Sequence, residues 1–476
     1  MKRIISFIVA TLIAVASEAQ VRPDSLNQRR EGDMPPRREQ GAQNQNRPNR
    51  DRQGQEGDRP DSNRQGQGGQ GQNRPGGQGG PGQGGNQERR RPGGGGGGRS
   101  TLRIAAVSAT GYGQETGENS FSGKTFTSTG DNENSVQVKG GKLNLSDCTI
   151  TKLGGNCEDG DGSSFYGTNS AVCATEGGFI TIAGGTIETD TKGANSIMAY
   201  GGSITATDVK IHNRKDMSRG IHATGGGKIS ANNLDIETEG NSSSVIATDR
   251  GGGTVIVNGG KYKTTGQHSA VAYSTGEIIL NKIWGLSTQG EIGVIEGDNS
   301  ITINQCEISA GNPNHALMIL QSGSGDAQGY NGKITINGGK MISTSQTAPL
   351  CEVPTRMTGT LTLNDVEIEV PSKMLMLVDY NTRWKTYGGV GHLILNTAKK
   401  HTYEGDVDAD QYGEVNVVVN KGVTWKGACD VDDSAKKTSV TVNGTWILTA
   451  DSYVDELIVN PGGKVEKGNY KIITAQ

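Results

Sequence analysis

From residue 143 onwards, apolar and polar residues alternate in thirteen short segments that can be superimposed on one another. Each segment begins with an aliphatic residue and has a second apolar residue two positions later, which is the period of a strand with one buried face. The central segments follow one another at intervals of 23 to 26 residues. The first positions are Leu143, Ile180, Ile204, Ile229, Val255, Ile278, Ile301, Ile334, Leu361, Leu393, Val417, Val440 and Leu457.

Ten of the thirteen segments have an asparagine three positions after the first aliphatic residue. Asparagine tolerates the left-handed backbone region and bonds to its local backbone, so it suits a bend between two strands. When such bends stack about 4.8 Å apart, the side-chain amides can also hydrogen-bond from coil to coil. The predicted asparagine ladder consists of Asn232, Asn258, Asn281, Asn304, Asn337, Asn364, Asn396, Asn420, Asn443 and Asn460.

Two further apolar positions complete each repeat. Inward residues such as Val209 and Leu234 follow the bend, and a third apolar stretch, such as residues 197–199, precedes the next segment. Three short strands per repeat predict an all-β parallel β-helix of about 13 coils, on the order of 60 Å long. Leucine-rich repeats are the main alternative at this period, and the lack of helical periodicity between the apolar segments disfavours them.

The β-helix with its C-terminal cap is predicted to occupy residues 136–476. Residues 101–135 lack the repeat and are predicted to cap the first coil, which would otherwise present an open strand edge. Trp446, Val454 and residues 470–473 are predicted to protect the other end.

The first hundred residues have a different composition. Lys2 and Arg3 precede an apolar stretch, and Ser17 and Ala19 complete the form of a secretory signal, so residues 1–19 are predicted to be a signal peptide. Residues 20–100 contain 15 arginines, no lysine and 9 acidic residues among Gln, Gly, Asn and Pro, which predicts a disordered tether of net charge +6. The tether would contact anionic surfaces, or act as a solvated spacer.

The net charge and the hydropathy of the chain further limit the kinds of protein that it can be. The whole chain carries a net charge of -3, and the signal and tether contribute +1 and +6, so residues 101–476 carry -10. After residue 19 no apolar run approaches the roughly 20 residues of a membrane helix. We therefore expect an exported protein, located at the cell surface, outside the cell or in the periplasm.

The repeated phrases at residues 177–182 and 264–271 resemble those of the pectin-lyase-like superfamily. Within it, residues 136–465 are similar to pertactin-like passengers, to adhesin-like surface proteins and to non-catalytic β-helices that bind polysaccharide with calcium. The resemblance implies a right-handed, single-stranded parallel β-helix. It leaves the activity open, because lyases, hydrolases and binders share this scaffold.

The densest ionic cluster on the coils consists of Arg214, Lys215, Asp216, Arg219 and His222. It is predicted to bind an anionic sugar, and a lyase would use such basic groups to remove a proton beside a uronate carboxylate. A solvated corner loop is the alternative interpretation.

A second cluster, Glu158, Asp159 and Asp161, places three carboxylates within four residues of a glycine-rich loop. These are ligands that calcium prefers, so calcium is the one cofactor that the sequence suggests. No acidic residue completes a calcium-binding loop downstream, and a polar insertion between coils is the alternative.

The six cysteines of an exported chain could form disulfides. Cys148 and Cys306 share an inward repeat position and are predicted to be core residues, whereas Cys148 with Cys157 or Cys173 is the most reachable pair. No histidine cluster, nucleophile triad or phosphate-binding loop is recognisable, and no catalytic residue is assigned.

The sequence therefore predicts a non-enzymatic surface adhesin or extracellular polysaccharide-binding protein. Its expected partners are polysaccharides or surface and matrix molecules, with no specific nucleic-acid binding by the β-helix. The alternative functions are a polysaccharide lyase or hydrolase acting on a uronate glycan around residues 212–222, and a purely structural rod.

Overall fold

The computed structural model describes residues 105–157, 160–312, 316–321, 327–354, 356–379 and 388–474. The predicted signal peptide, the predicted tether and residues 101–104 of the predicted cap lie outside these ranges. The described residues form 38 β-strands and one short helix, α1 (Gly160–Tyr166).

The strands of the first half are β1 (Ala106–Gln114), β2 (Glu118–Ser122), β3 (Thr125–Ser128), β4 (Glu133–Lys139), β5 (Lys142–Ser146), β6 (Thr149–Lys152), β7 (Val172–Thr175), β8 (Phe179–Ala183), β9 (Thr186–Thr189), β10 (Ile197–Tyr200), β11 (Ser203–Thr207), β12 (Lys210–Asn213), β13 (Ile221–Thr224), β14 (Gly227–Thr238), β15 (Ile246–Thr248), β16 (Gly253–Thr264), β17 (Ala272–Ser274), β18 (Glu277–Asn281) and β19 (Trp284–Ser287). Those of the second half are β20 (Gly293–Glu296), β21 (Ser300–Ala310), β22 (Met318–Gln321), β23 (Asn331–Ser343), β24 (Cys351–Glu352), β25 (Thr358–Asn364), β26 (Glu367–Glu369), β27 (Met374–Val378), β28 (Val390–Asn396), β29 (His401–Glu404), β30 (Asp406–Ala409), β31 (Glu414–Val419), β32 (Val423–Lys426), β33 (Lys437–Val442), β34 (Thr445–Ile447), β35 (Ser452–Tyr453), β36 (Glu456–Val459), β37 (Lys464–Glu466) and β38 (Ile472–Ile473).

The strands stack in parallel, each pairing with its counterpart in the next turn. Sheet 1 contains twelve strands in the order β1, β4, β7, β10, β13, β15, β17, β20, β22, β24, β27 and β30. Sheet 2 contains twenty strands, among them β8, β11, β14, β16 and β18, and sheet 3 contains β29, β32, β34 and β37. The structure confirms the predicted all-β fold as a parallel β-solenoid of about 13 turns.

The aliphatic positions identified in the sequence lie in register inside the coils. Ile204 pairs with Ile229, and Ile229 pairs with Val255 in the following turn. All three side chains are buried, and they belong to one continuous core that extends from Phe126 to Val454. Each coil hides its apolar residues against the coils above and below, as expected for a solenoid.

The ten asparagines of the ladder form a continuous column at the bend in sheet 2. Each Nδ2 donates to the Oδ1 of the preceding asparagine, through nine hydrogen bonds of 2.6–3.1 Å. The left-handed backbone conformation expected for the asparagines occurs instead at the next residue, for example Asn233 and Gln305, with φ of 53° and 54°. The strand conformation continues through the first seven ladder asparagines, from Asn232 to Asn396, and in the first six of these coils the chain turns one residue later.

The segment predicted as an N-terminal cap contains strands of the solenoid itself. The strands β1, β2 and β3 pair in parallel with β4, β5 and β6 of the next coil. Tyr112, Phe121 and Phe126 pack together with ring centroids 4.8–6.2 Å apart. This aromatic group covers the first coil, so no structural change marks the boundary expected between residues 135 and 136.

Near the C-terminal end, two tryptophans replace aliphatic residues in the core. The indole rings of Trp425 and Trp446 stack with centroids 4.9 Å apart and an interplanar angle of 10°. Val454 is also buried, whereas Tyr470 and Ile473 are 43% and 36% exposed. Aromatic stacking therefore continues the core, but part of the predicted C-terminal cap remains open to solvent.

The predicted disulfide of Cys148 does not form. Cys148 lies in the core, whereas Cys173 lies on the outer side of sheet 1, and both carry free thiols. The two side chains therefore lie on opposite sides of the coil wall. Within the described ranges, no helix has the length and apolar character needed to span a bilayer.

Candidate functional site

Several outward side chains in the central strands of sheet 1 are buried. Met198 pairs with His222, and His222 pairs with Ala247, at positions that alternate with the inward isoleucines. These three side chains are fully buried, whereas Ile256 on the outside of sheet 2 is 37% exposed.

The helix α1 lies against this outer side of sheet 1. Thr224 Oγ1 donates to the carbonyl of Phe165 at 2.7 Å, and Asn195 Nδ2 donates to the carbonyl of Ser163 at 2.9 Å. The Arg250 guanidinium stands 3.8 Å from the centroid of the Phe165 ring. An insertion between two coils thus covers the part of sheet 1 that contains Met198 and His222.

The structure divides the predicted glycan-binding cluster into two groups. Arg214 and Lys215 are at the corner after β12 and form partly exposed ion pairs with Glu188 and Asp190, each at 3.2 Å. Asp216 Oδ1 accepts a hydrogen bond of 2.8 Å from the Asn241 amide of the next coil. These three residues therefore stabilise a corner of the coil, and sugar binding by them stays a prediction.

Arg219 and His222 instead lie on the outer side of sheet 1. Arg219 donates to Ser164 Oγ at 3.1 Å, and its other terminal nitrogen lies 3.7 Å from Asp249 Oδ2. His222 Nε2 lies 3.9 Å from the same carboxylate oxygen, and neither ring nitrogen has a hydrogen-bond partner within the part of the chain that the structure describes. Burial, together with the Arg219 charge, holds the pKa of His222 well below 6.5.

Three further residues, Asp249, Tyr273 and Glu296, complete this group. Burial raises the pKa of Tyr273 well above 10, and the charges of Asp249 and Glu296 and a hydrogen bond to Glu296 act in the same direction. Gln321 Nε2 donates to Glu296 Oε1 at 3.0 Å. We call Arg219, His222, Asp249, Tyr273 and Glu296 the outer cluster. Its sequence signal was the presence of polar residues within or next to the apolar stretches that form sheet 1.

Further carboxylates occur towards the C-terminal end of sheet 1. Burial and the nearby Glu352 and Asp410 raise the pKa of Asp379 to about 7. Carboxylate oxygens of Asp408, Asp430 and Asp432 lie within 4.8 Å of one another, and burial raises the pKa of Asp408 to about 6. Such oxygens are of the type that hard cations prefer.

The predicted calcium loop is less suited to a cation than the group of Asp408, Asp430 and Asp432. Glu158 and Asp159 lie outside the described residues, whereas Asp161 belongs to α1. Its Oδ2 lies 3.3 Å from a terminal nitrogen of Arg250, so an arginine already compensates this carboxylate. A calcium site at these residues stays a prediction.

A groove of about 570 Å³ crosses several coils beside sheet 3. Glycines 422, 444 and 462 line it and leave space between the basic residues Lys400, His401, Lys421 and Lys464. The three lysines are exposed. We call this feature the basic groove.

The lysines of the basic groove differ from their neighbours in their electrostatic surroundings. Lys373 and Lys426 are paired with Glu404, and Lys436 is paired with Glu414. Among the described residues, no carboxylate is within ion-pair distance of the three groove lysines. The groove therefore concentrates uncompensated positive charge on a domain that is acidic overall.

No family model, curated protein or solved structure matches this chain. The β-solenoid is thus established by the structure, and membership of the pectin-lyase-like superfamily stays a prediction.

Proposed function

We propose that this chain is an exported, non-enzymatic β-helix protein that binds an anionic polysaccharide. The basic groove carries the proposal, because three uncompensated lysines lie along the solenoid axis. Successive coils are about 4.8 Å apart, so an extended polyanion that lies along the groove would meet Lys400, Lys421 and Lys464 in turn. The signal-like first 19 residues favour placing this binding at the cell surface or outside the cell.

The chemistry of the groove suits a carboxylated or sulfated glycan. Lysine ammonium groups contribute long-range attraction and rotatable hydrogen-bond donors without requiring one fixed ligand geometry. The hydroxyl groups of Thr402, Thr424 and Thr445 line the same groove and offer partners to sugar hydroxyls. An acidic polysaccharide, as in adhesion to a matrix or a cell wall, is therefore the expected ligand class.

Binding of the full chain to polygalacturonate and to the neutral polysaccharide dextran tests the proposal. The triple variant Lys400→Gln/Lys421→Gln/Lys464→Gln should bind polygalacturonate about tenfold more weakly, because three exposed charge contacts contribute up to about 1 kcal/mol each. The matched control Lys373→Gln/Lys426→Gln/Lys436→Gln removes the same charge from paired lysines nearby. It should retain affinity, and the arginine-rich tether is the same in both variants.

Equal losses in the two triple variants would show that net charge, and not the groove, determines binding. Equal binding of the wild-type chain to dextran and to polygalacturonate would contradict the proposal that the ligand is anionic. Raising the salt concentration should weaken wild-type binding, because exposed charges are screened within about 8 Å at physiological ionic strength.

A uronate-specific lyase is a second candidate function, which the outer cluster favours. It brings a nearly buried arginine, a histidine, a tyrosine and two carboxylates together outside the core, and groups with strongly shifted pKa values are common at catalytic sites. Release of unsaturated ends from polygalacturonate by wild type, lost in Arg219→Ala but kept by the groove variant, would replace the non-enzymatic proposal.

A further inference from the structure

The last coil of the solenoid exposes residues that every preceding coil buries. Val442 is fully buried, whereas Val459, its partner in the next strand, is 47% exposed. Trp446 is likewise fully buried, and its partner Val465 is only half-buried. The three strands β36, β37 and β38 therefore form an end of the core that no described residue covers.

Among the described residues, β34 is the only strand that pairs with β37, and no strand pairs with its outer side. The Lys464 amide donates to the Gly444 carbonyl at 2.9 Å, and the Glu466 carbonyl accepts from the Leu448 amide at 3.0 Å. Backbone groups of successive residues in a strand point in opposite directions across the sheet. The N–H and C=O of Val465 therefore point away from β34, out of the end of the solenoid.

The sequence of β37, Lys464–Val465–Glu466, is complementary to itself in the antiparallel direction. If two copies of β37 pair about a twofold axis at Val465, the two valines exchange both backbone hydrogen bonds, as in a hydrogen-bonded antiparallel pair. Lys464 of each copy then faces Glu466 of the other, and opposite charges directly across a strand pair are favourable. Both charged side chains are exposed, and no described carboxylate or ammonium group pairs with either.

We propose that two copies of this chain associate end to end through β37, forming a closed dimer with a continuous core. The twofold axis passes through the Val465 pair, perpendicular to the solenoid axis, and places β37 of one copy beside β37 of the other. The same axis brings β36 of each copy to β38 of the other. Leu457, Val459 and Ile472 would then be covered, and the open strand edge, which otherwise invites uncontrolled pairing, would be closed. An interface of this symmetry ends at two copies, unlike a head-to-tail stack.

Sedimentation of the full chain, without polysaccharide, tests this arrangement over a range of concentrations. Wild type should approach twice the monomer mass. Lys464→Glu and Glu466→Lys should each weaken dimerisation at least tenfold, because each places like charges opposite one another at two symmetric positions. The double variant Lys464→Glu/Glu466→Lys restores the complementarity in reverse and should restore the dimer.

Val465→Pro supplies a second test that does not depend on charge. Proline removes an N–H that β34 does not use, so edge-strand pairing within the monomer is retained, whereas both intermolecular bonds at the axis are lost. Thermal unfolding of the monomer checks that each variant is folded. A wild-type monomer at all concentrations, a mass that increases beyond two copies, or a double variant as weak as the single ones would each overturn the proposal. Since Lys464 also lines the basic groove, omitting polysaccharide separates loss of the dimer from loss of binding.

Discussion

The Nδ2 of Asn337 donates a hydrogen bond of 2.7 Å to Oδ1 of Asn304 in the preceding coil. Asn337 also accepts a bond of 2.7 Å from Asn364, so its amide is satisfied on both sides. The bonds run along the solenoid axis and connect successive coils directly before a bend, where the backbone register skips one residue. The ladder therefore fixes the register of one coil on the next.

Asn337→Ala should destabilise the solenoid by about 2 kcal/mol, because it removes two half-buried hydrogen bonds of about 1 kcal/mol each. Asn460→Ala is the matched control at the end of the ladder, where the asparagine makes one such bond, to Asn443. It should cost about half as much. Urea unfolding of both variants measures the difference. Equal costs for the interior and terminal positions would mean that the ladder does not act through its side-chain bonds.

The stacked tryptophans should be the most sensitive positions near the C-terminal end. Trp446 is fully buried, stacks on Trp425 and donates from Nε1 to the Gly427 carbonyl at 2.9 Å. Trp446→Ala should cost about 3–5 kcal/mol, as for other large-to-small changes in a core. Trp284→Ala removes an indole that is 39% exposed and should cost less than about 1 kcal/mol. Thermal unfolding of the two variants measures the difference in stability. A mild effect of Trp446→Ala would show that the last coils are already partly unfolded in the wild-type protein.

The inward face of the coils was predictable because it depends on one local rule. A buried position recurs every second residue, so the residues that pair in register, such as Ile204 and Ile229, carry the signal in the sequence. The asparagine column was visible for the same reason, since each member has the same offset from an aliphatic residue. The left-handed residue that follows six of the asparagines was missed because asparagine, lysine, glutamine, aspartate and glycine all occupy that position.

The outer cluster could not be derived from the repeat. Arg214 and Arg219 are five residues apart, but a corner of the coil separates them, so proximity in sequence combined residues of two different surfaces. His222 occupies an outward position that would normally be solvated, and it is buried because α1 lies against sheet 1. The seven residues of α1 occur in an insertion without periodicity, so nothing in the sequence indicated which surface they would cover.

Stability should increase when the pH is lowered from about 8 to about 6.5, because Asp379 has a pKa of about 7 in the folded chain. An unfolded aspartate titrates near 3.9, so the folded state binds a proton that the unfolded state does not. The stabilisation by this proton is complete below the pKa of the unfolded aspartate, and it is lost as the pH rises through about 7, the pKa of Asp379 in the folded chain. Asp379→Asn should therefore raise the unfolding free energy at pH 8 by about 2 kcal/mol and flatten this dependence.

Asp298→Asn is the control, because its effect on the stability at pH 8 should have the opposite sign to that of Asp379→Asn. Hydrogen bonds from Asn331, and one from the Tyr330 amide, lower the pKa of Asp298. The ionised Asp298 carboxylate therefore stabilises the folded chain at pH values above the pKa of the unfolded aspartate, and this stabilisation is lost as the pH falls. Asp298→Asn should accordingly be less stable than wild type at pH 8. Thermal unfolding between about pH 6.5 and pH 8 distinguishes the two. A decrease in stability of Asp379→Asn at pH 8 would contradict a raised pKa.

Arg250→Ala should release α1 from sheet 1 without unfolding the coils. The Arg250 guanidinium contacts the Phe165 ring and the Asp161 carboxylate of α1, whereas the coil core beneath does not depend on it. A cation–π contact and a partly exposed ion pair together contribute on the order of 1–2 kcal/mol, comparable to the free energy that holds a short surface segment in place. Hydrogen exchange of residues 160–166 should therefore accelerate about tenfold, while exchange in β13 and β15 stays slow. Arg214→Ala, which removes an exposed pair with Glu188, should change neither, and faster exchange throughout sheet 1 would show that α1 and the coils unfold as one unit.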